Sequence, residues 1–282
     1  MNISFSAALI HHQLISRAAN RSQLHQLFES LDIQLSEIFY QPLIGVNRTT
    51  LLDRLWVASR SLLKIVVDAL LGWLSGRDSI SRCLKRCLVE PMRLVQYLAF
   101  ISSDEWISLY RTCMVEGFLV KKHISAWNMA LKDDADWLFV LEDDAEILAD
   151  TSLRLRDLIS NQMLGTDSLL PVYLDLAGGY EPTTVLPTRI PGTATATGWQ
   201  FTHIRTNTTC AYLVSKPLIR LWLSCLSRQS WLSQLPADHL INAVSMVVCW
   251  SRRDCMSRHW RRPIFLHGSF HADFKSTISG SR

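Results

Sequence analysis

The sequence has no uninterrupted apolar run long enough to cross a membrane. Its most apolar stretch, 62–74 ("LLKIVVDALLGWL"), is broken by Lys64 and Asp68 and falls short of the roughly 20 residues that span a bilayer. The amino-terminal apolar stretch has no Lys or Arg before it, so we expect no secretory signal peptide. Internal repeats and low-complexity segments are also absent. Together these absences favour an ordinary globular protein.

Cysteine pairs with metal-binding spacing are missing too. The seven cysteines form no Cys-x-x-Cys motif and have no histidine-rich neighbourhood, which excludes the usual zinc-site patterns. Because seven is an odd number, the sequence argues against a disulfide framework. We therefore expect a reducing, cytoplasmic compartment.

Lys and Arg outnumber Asp and Glu in two zones of the chain, whereas the rest of the chain is net acidic. The formal net charge is +4, yet 46–102 carries nine basic residues against four acidic ones, and 250–262 carries five Arg against one Asp. Two basic zones on an otherwise acidic chain are typical of an anionic partner, such as phosphate groups, lipid headgroups or nucleic acid. Of these partners, nucleic acid is not expected. The alternative is that the zones are solvated faces that keep the protein in solution.

The broken run is predicted to lie in an amphipathic helix with a wide apolar face, because charged residues recur at helical spacing within the run and before it. These residues are Asp53, Arg60, Lys64 and Asp68. One interpretation is a helix packed in the core. The other is a helix that makes peripheral contact with a membrane, aided by a basic cluster just downstream that binds anionic headgroups. The cluster consists of Arg77, Arg82, Lys85 and Arg86.

The amino-terminal part of the chain predicts a strand, a helix and a second strand. Residues 3–10 alternate weakly in hydrophobicity, and 17–31 carry apolar residues at helical spacing. A second apolar segment, 36–43, is stopped by Pro42. A β-α-β beginning is typical of an open α/β sheet. We therefore expect an α/β fold with a sheet flanked by helices.

The middle of the chain predicts a helical insertion. Residues 50–100 indicate one helix after another between sheet elements, so we interpret about 46–110 as inserted. The breaks between these helices are expected at Gly72, Gly76 and Pro91. Downstream, 114–132 predicts a further helix, and the Thr-, Pro- and Gly-rich segment 181–203 predicts a long loop.

An apolar strand at 137–141 leads directly into three consecutive acids, Glu142, Asp143 and Asp144. In an open α/β sheet, ligands bind beyond the carboxyl ends of the strands, and a divalent cation there would neutralise the repulsion between the acids. Mg²⁺ and Mn²⁺ prefer carboxylate oxygens together with substrate phosphates. The triplet therefore predicts a metal that bridges to a diphosphate and acts as a Lewis acid on the departing phosphate. The alternative is a solvated turn after a strand.

The helix before this strand carries Glu116, then His123 seven residues on, then Trp127 four beyond that. With the acid triplet at the end of the next strand, the arrangement resembles glycosyltransferase family 25, the lipooligosaccharide-biosynthesis transferases and their collagen galactosyltransferase relatives. Further pieces are similar in the same order, among them "TNTTCAYLVSK", "LPADHLINAV" and "PIFLHGSFHADFKSTIS". The resemblance covers most of the chain apart from about 45–110.

The resemblance implies a fold and an activity. The fold would be a single GT-A-like domain over 1–282, an open mixed sheet flanked by helices with the helical insertion added. The activity would be the inverting transfer of a sugar from a nucleotide-sugar donor, such as UDP-galactose, with Mn²⁺ or Mg²⁺ as the metal. A glycan or glycolipid would be the acceptor, at the cytoplasmic face of a membrane.

The resemblance also implies roles for the acid triplet and the helix before it. Asp144 would ligate the metal, and Glu142 or Asp143 would contact the metal or the ribose. We assign Glu142 to the metal and Asp143 to the nucleotide. His123 would face the donor from its helix, and the alternative is a core histidine satisfied by hydrogen bonds.

Five further residues are candidates for roles in the same way. Arg17 and Arg21 would pair with the diphosphate, although they could equally form part of a helix-start surface; of the two we assign Arg17. An inverting transfer needs a base for the acceptor hydroxyl proton, and Asp238 is the candidate; the alternative is that Asp238 caps a helix in "PADHLINAV". GT-A enzymes often use a late histidine as a further metal ligand. This points to His267 or His271, of which we assign His271.

Two other classes of function remain open from the sequence. An acid triplet would also serve a metal-dependent phosphoryl-transfer or phosphodiester-cleaving enzyme. The helix departs from the family pattern at Phe118, Leu119 and Lys122. A degenerate, non-catalytic transferase that binds a membrane peripherally is therefore the other alternative.

Overall fold

The computed structural model describes most of the chain. The described residues are 3–40, 46–74, 76, 78–160, 164, 167–178, 192–195, 198–204, 206, 208–250, 252 and 254–268.

Among the described residues, eight strands form one mixed sheet with the order β2-β1-β3-β8-β5-β9-β7-β6. The strands are β1 (Phe5–His11), β2 (Leu35–Phe39), β3 (Trp137–Glu142), β5 (Val172–Asp175), β6 (Gly192–Ala194), β7 (Gly198–Phe201), β8 (Ala211–Ser215) and β9 (Met256–Trp260). Strand β1 pairs in parallel with β2 and β3, whereas β8 lies antiparallel to β3 and β5. A second, two-stranded antiparallel sheet consists of β4 (Ala145–Ile147) and β10 (Phe265–His267).

Helices cover both faces of the large sheet. They are α1 (Ala18–Glu29), α2 (Leu51–Leu74), α3 (Ile80–Phe100), α4 (Ser103–Lys132), α5 (Thr151–Ser160), α6 (Lys216–Arg228) and α7 (Ala237–Cys249). Side chains of β1 and β3 are buried alternately in two core clusters, one containing α1 and α5 and the other containing α4, α6 and α7. The predicted α/β class with a mixed sheet and flanking helices is thus confirmed. None of the described helices combines the length and apolar character needed to cross a membrane.

The helices of 46–110 are longer than the sequence predicted. Gly72 lies inside α2 and Pro91 lies inside α3, so both predicted breaks are wrong, whereas Gly76 does lie in the turn between the two helices. A proline in a helix interior costs about 3 kcal/mol. Residues on both sides of Pro91, Cys83 and Leu98, are buried, and this packing holds the two halves of α3 in one helix.

The helix that carries the Glu-His-Trp spacing begins inside the predicted insertion. It starts after Ser102, whose side chain accepts a hydrogen bond from the backbone of Glu105 while the Glu105 carboxylate accepts one from Ser102. Such a capping box satisfies two backbone donors at a helix start. From there α4 runs without a break to Lys132, so the insertion and the helix behind the acid triplet form one continuous element.

Two features of the later chain differ from the sequence prediction. The described part of 181–203 contains strands β6 and β7, which pair at the edge of the large sheet and are not loop. Their short length and high Gly and Thr content hid the strand pattern. Cys249 and Cys255 form a disulfide with Cα atoms 5.9 Å apart, within the usual range. The odd cysteine count argued against a framework of disulfides, and it could not detect a single local pair.

Candidate active site

A cavity of about 330 Å³ opens where β1 and β3 end and β8 begins. Six residues from distant parts of the chain, each with a candidate role predicted from the sequence, line this cavity. They are Arg17, Glu142, Asp143, Asp144, Asp238 and His267. The cavity lies at the carboxyl edge of the parallel strands, which is where open α/β sheets bind ligands.

Asp143 is neutralised within the protein. Its Oδ1 accepts a hydrogen bond of 2.6 Å from Nη1 of Arg17, and Nη1 of Arg21 lies 3.5 Å from its Oδ2. Burial raises the pKa of Asp143, although the Arg17 guanidinium lowers it. Asn20 holds the turn after β3 by donating to the backbone carbonyls of Asp143 and Ala145. Arg17 therefore lines the cavity while it is already paired with one acid of the triplet.

Glu142 points towards the protein interior. Its Oε1 accepts a hydrogen bond from Thr209 Oγ1 and lies 3.6 Å from Nε2 of His123. Burial raises the pKa of Glu142, yet His123 and Thr209 together lower it below its ordinary value. Glu142 is thus an ionised carboxylate beside the cavity, and its Oε1 already accepts a hydrogen bond from Thr209.

His123 and Trp127 converge on one hydroxyl behind Glu142. The indole Nε1 of Trp127 donates to Tyr212 Oη at 3.0 Å, and Tyr212 Oη lies 2.9 Å from His123 Nδ1. An indole N–H can only donate, so the Tyr212 hydroxyl proton is available to His123 Nδ1, and Nε2 is the ring nitrogen that faces Glu142. His123 is fully buried and is not one of the cavity-lining residues. It therefore lies in the core behind Glu142, whereas the sequence predicted that it faces the donor.

The variant Tyr212→Phe is expected to lower the free energy of unfolding by about 2–4 kcal/mol. It removes the hydroxyl that Trp127 and His123 share, and each buried polar group left without a partner costs about 1–3 kcal/mol. Urea unfolding followed by tryptophan fluorescence measures the change. Tyr97→Phe is the matched control, because Tyr97 is exposed on α3 and its loss of a hydroxyl should change stability by less than about 0.5 kcal/mol. Equal effects of the two variants would contradict this account of the buried group.

Asp144, Cys210 and His267 form a group of potential metal ligands among the described residues. One ligand atom from each lies within 4.8 Å of the others, and Asp144 Oδ2 is 3.7 Å from His267 Nδ1. The small sheet brings this about, because β10 pairs His267 with Ala145, next to Asp144. Burial raises the pKa of the Cys210 thiol well above its ordinary value, which keeps it protonated. His271, the other late histidine, lies outside the described residues.

Asp238 reaches the cavity from the first turn of α7. The residue that precedes this helix is Pro236, and no side chain caps it, so Asp238 is not the N-cap that the sequence offered as its alternative role. Its side chain is 34 % exposed, and His239 Nε2 lies 3.9 Å from its Oδ2. A carboxylate in the first turn is favoured by the positive end of the helix dipole. Asp238 is therefore an accessible acid in the lining of the cavity that the triplet also lines.

Three cavity-lining residues received no role from the sequence. Lys64 of α2 and Glu116 of α4 both line the cavity, so the helical insertion contributes to the site. His12 follows β1, and burial together with the nearby Lys122 ammonium lowers its pKa to about 4. Nζ of Lys122 lies 3.1 Å from His12 Nδ1 and donates to the backbone carbonyl of His11 at 2.6 Å. The position of His12 directly after a strand is the signal that could have identified it.

Comparisons with known proteins add no relative to this picture. No protein-family model matches the chain, and no curated protein matches its sequence.

Proposed function

We propose that the protein is a metal-dependent, inverting glycosyltransferase of GT-A architecture. It moves a sugar of the galactose type from a UDP-sugar to a glycan or glycolipid acceptor. The observation that carries the proposal is the meeting of Asp238 and the acid triplet in one cavity, because this transfer needs a metal site and a separate base. The strand that ends in acids and the small sheet that supplies His267 are consistent with a GT-A fold.

The charges in the cavity support a requirement for a cation. Five carboxylates line it, and only two permanently basic side chains, Arg17 and Lys64, do so. The carboxylates of the lining therefore outnumber its permanently basic side chains by three. A UDP-sugar brings further negative charge on its diphosphate, which this lining would repel. We therefore expect the donor to bind only together with a divalent cation.

The residues of the site fit such a cation. Asp144 supplies a carboxylate oxygen, the ligand that Mg²⁺ and Mn²⁺ prefer, and His267 supplies an imidazole nitrogen that favours a transition metal. A carboxylate oxygen beside an imidazole nitrogen favours Mn²⁺ over Mg²⁺. When bound, the metal would stabilise the negative charge that builds on the departing diphosphate.

The protein's own side chains then account for the remaining chemistry. Asp238 accepts the proton of the acceptor hydroxyl, whose oxygen forms a bond to the anomeric carbon. The bond from that carbon to the β-phosphate oxygen breaks, and UDP leaves with the electron pair. Because attack and departure occur on opposite faces of the sugar, the anomeric configuration is inverted. Lys64 and Arg17 line the cavity and offer positive charge to the diphosphate.

A screen of UDP release tests the proposed function. The protein is incubated with a panel of UDP-sugars in the presence of Mn²⁺, and the UDP formed by slow donor hydrolysis is measured. We expect one donor, a UDP-hexose, to be hydrolysed, and we expect the reaction to stop when a chelator removes the metal. UDP release that is insensitive to the chelator, or no release from any donor together with no binding of UDP, would contradict the proposal.

A further inference from the structure

The helix α3 presents a row of large apolar side chains to solvent. The row, called here the α3 stripe, consists of Ile80, Leu84, Leu88, Met92 and Val95. Each of them is between 56 % and 67 % exposed. Spacings of three and four residues place them on one side of the helix. Exposed apolar side chains that adjoin one another in this way mark an interaction surface, whereas isolated ones do not.

The exposed apolar surface extends beyond the stripe. Val57 of α2 and Leu98 of α3 pack in the same small core cluster, so the two helices form an antiparallel hairpin. The start of α2 thus lies beside the end of α3. Three leucines at the start of α2 and one aromatic residue at the end of α3 are also exposed, namely Leu51, Leu52, Leu55 and Phe100.

Basic side chains flank the α3 stripe. Lys85 follows Leu84 and Arg93 follows Met92 by one position, which places both about 100° around the helix on the same flank. Both are exposed. Helix α3 has four basic residues and one acid, Glu90, and that acid is paired with Arg86. Lys85 and Arg93 have no acidic partner among the residues that the structure describes. A strip of apolar surface beside such positive charge is complementary to an anionic lipid surface.

We propose that α3 lies in the interface of an anionic membrane, with the α3 stripe in the boundary of the acyl chains and Lys85 and Arg93 at the headgroups. The apolar residues of the broken run of α2, which the sequence offered for this role, are mostly buried or half-buried. Val67 and Leu71 belong to the main core, and Leu70 is the one large apolar residue of 62–74 that is exposed. The membrane surface is therefore the neighbouring helix.

A second copy of this chain fits the same surface less well. If two copies packed α3 antiparallel to α3 around a twofold axis, the interface would be self-complementary. Lys85 and Arg93 of one copy would then approach the same residues of the other, and like charges would oppose association. An anionic membrane instead binds both parts of the surface, because its acyl chains contact the α3 stripe and its headgroups contact Lys85 and Arg93.

Sedimentation with lipid vesicles tests the proposal. One variant carries Leu84→Ser, Leu88→Ser and Met92→Ser, and a second carries Lys85→Glu and Arg93→Glu. We expect wild-type protein to bind vesicles that contain phosphatidylglycerol more tightly than vesicles of phosphatidylcholine. The serine variant should bind the anionic vesicles at least about tenfold more weakly. The charge variant should lose at least about 25-fold at low salt, since each basic residue near such a surface contributes about fivefold.

The controls are changes of the same kind elsewhere on the surface. Leu153→Ser with Leu169→Ser removes two exposed apolar side chains, and Lys132→Glu with Arg156→Glu reverses two exposed charges. Both should bind vesicles as the wild type does. Binding that falls equally in variants and controls, or no binding to either vesicle, would overturn the proposal. Light scattering supplies the last outcome. If the wild type is a dimer and the serine variant is a monomer, the stripe binds a second copy of this chain, and the membrane proposal is overturned.

This proposal goes beyond the glycosyltransferase assignment and does not depend on it. Affinity for UDP with Mn²⁺ should be the same in the wild type and in both α3 variants, because α3 contributes no residue to the cavity lining. Vesicle binding without UDP binding would overturn only the proposed function. UDP binding without vesicle binding would overturn only the membrane surface.

Discussion

Asp144→Ala should lower Mn²⁺-dependent turnover of the UDP-sugar by at least about a hundredfold. A bound divalent cation supplies several kcal/mol of charge stabilisation, and each 1.4 kcal/mol corresponds to about tenfold in rate. Asp144 and His267 are the two proposed metal ligands, and Asp144 Oδ2 lies 3.7 Å from His267 Nδ1. The loss of Asp144 therefore leaves His267 without its carboxylate partner. Release of UDP from the donor, measured with and without Mn²⁺, gives the effect.

The stability of this variant needs a control because Asp144 is only 4 % exposed. A solvated turn was the alternative that the sequence left open for the acid triplet, and the burial of Asp144 contradicts it for this residue. Its removal relieves repulsion from Glu142 and Asp143 but also removes an ion pair with Arg17, whose Nη1 lies 4.0 Å from Asp144 Oδ2, so we expect the melting temperature to change by only a few degrees. Asp157→Ala, at an exposed acid of α5, should change neither turnover nor stability. Turnover of Asp144→Ala within a few-fold of wild type would contradict the metal assignment.

Asp238→Asn should lower the rate of sugar transfer by about 10²–10⁴-fold, which is what a positioned proton acceptor supplies. Asparagine keeps the shape of the side chain but cannot take the acceptor proton. Asp238 makes no cap hydrogen bond in α7, so its replacement should leave stability nearly unchanged. Affinity for UDP with Mn²⁺ should persist, because the base contacts the acceptor. The two measurements are the transfer rate to a working acceptor and the calorimetric affinity for UDP.

Two outcomes would refute this role of Asp238. A transfer rate close to that of wild type means that the base lies elsewhere, and a rate lost together with UDP affinity means that Asp238 helps to bind the donor. His239→Gln is the matched control, since His239 neighbours Asp238 at 3.9 Å and does not line the cavity. Its transfer rate should stay within a few-fold of wild type.

The elements that build the site could be predicted from local pattern. Strand β3 is apolar throughout because it is buried on both faces, and this run is visible in the sequence up to Glu142. The βαβ beginning is visible in the same way. Because ligands gather at strand ends, the acid triplet could also be placed at a functional edge before any coordinates were known.

The orientation of each side chain in the acid triplet could not be predicted from the sequence. Glu142, Asp143 and Asp144 are consecutive, yet one contacts Thr209, one contacts Arg17 and one approaches His267. These partners come from distant segments, and no local pattern encodes which partner each acid meets.

The surface of the insertion could not be predicted for a related reason. Helices α2 and α3 are both amphipathic in sequence, and only the packing of the hairpin decides which apolar face remains in solvent. Val67 and Leu71 of α2 pack in the core, whereas Leu88 and Met92 of α3 remain exposed. The same packing brings Lys64 into the cavity, so residues outside the family resemblance became part of the site.

Calorimetric titration of the wild-type protein with UDP, with Mn²⁺ and then with a chelator in its place, tests the central claim most directly. The cavity is lined by more carboxylates than basic groups, so a diphosphate needs a cation to enter it. We predict that UDP binds in the presence of Mn²⁺, that binding is lost with the chelator, and that Asp144→Ala abolishes the difference. UDP that binds equally well without a divalent cation, or that does not bind under either condition, would contradict the account.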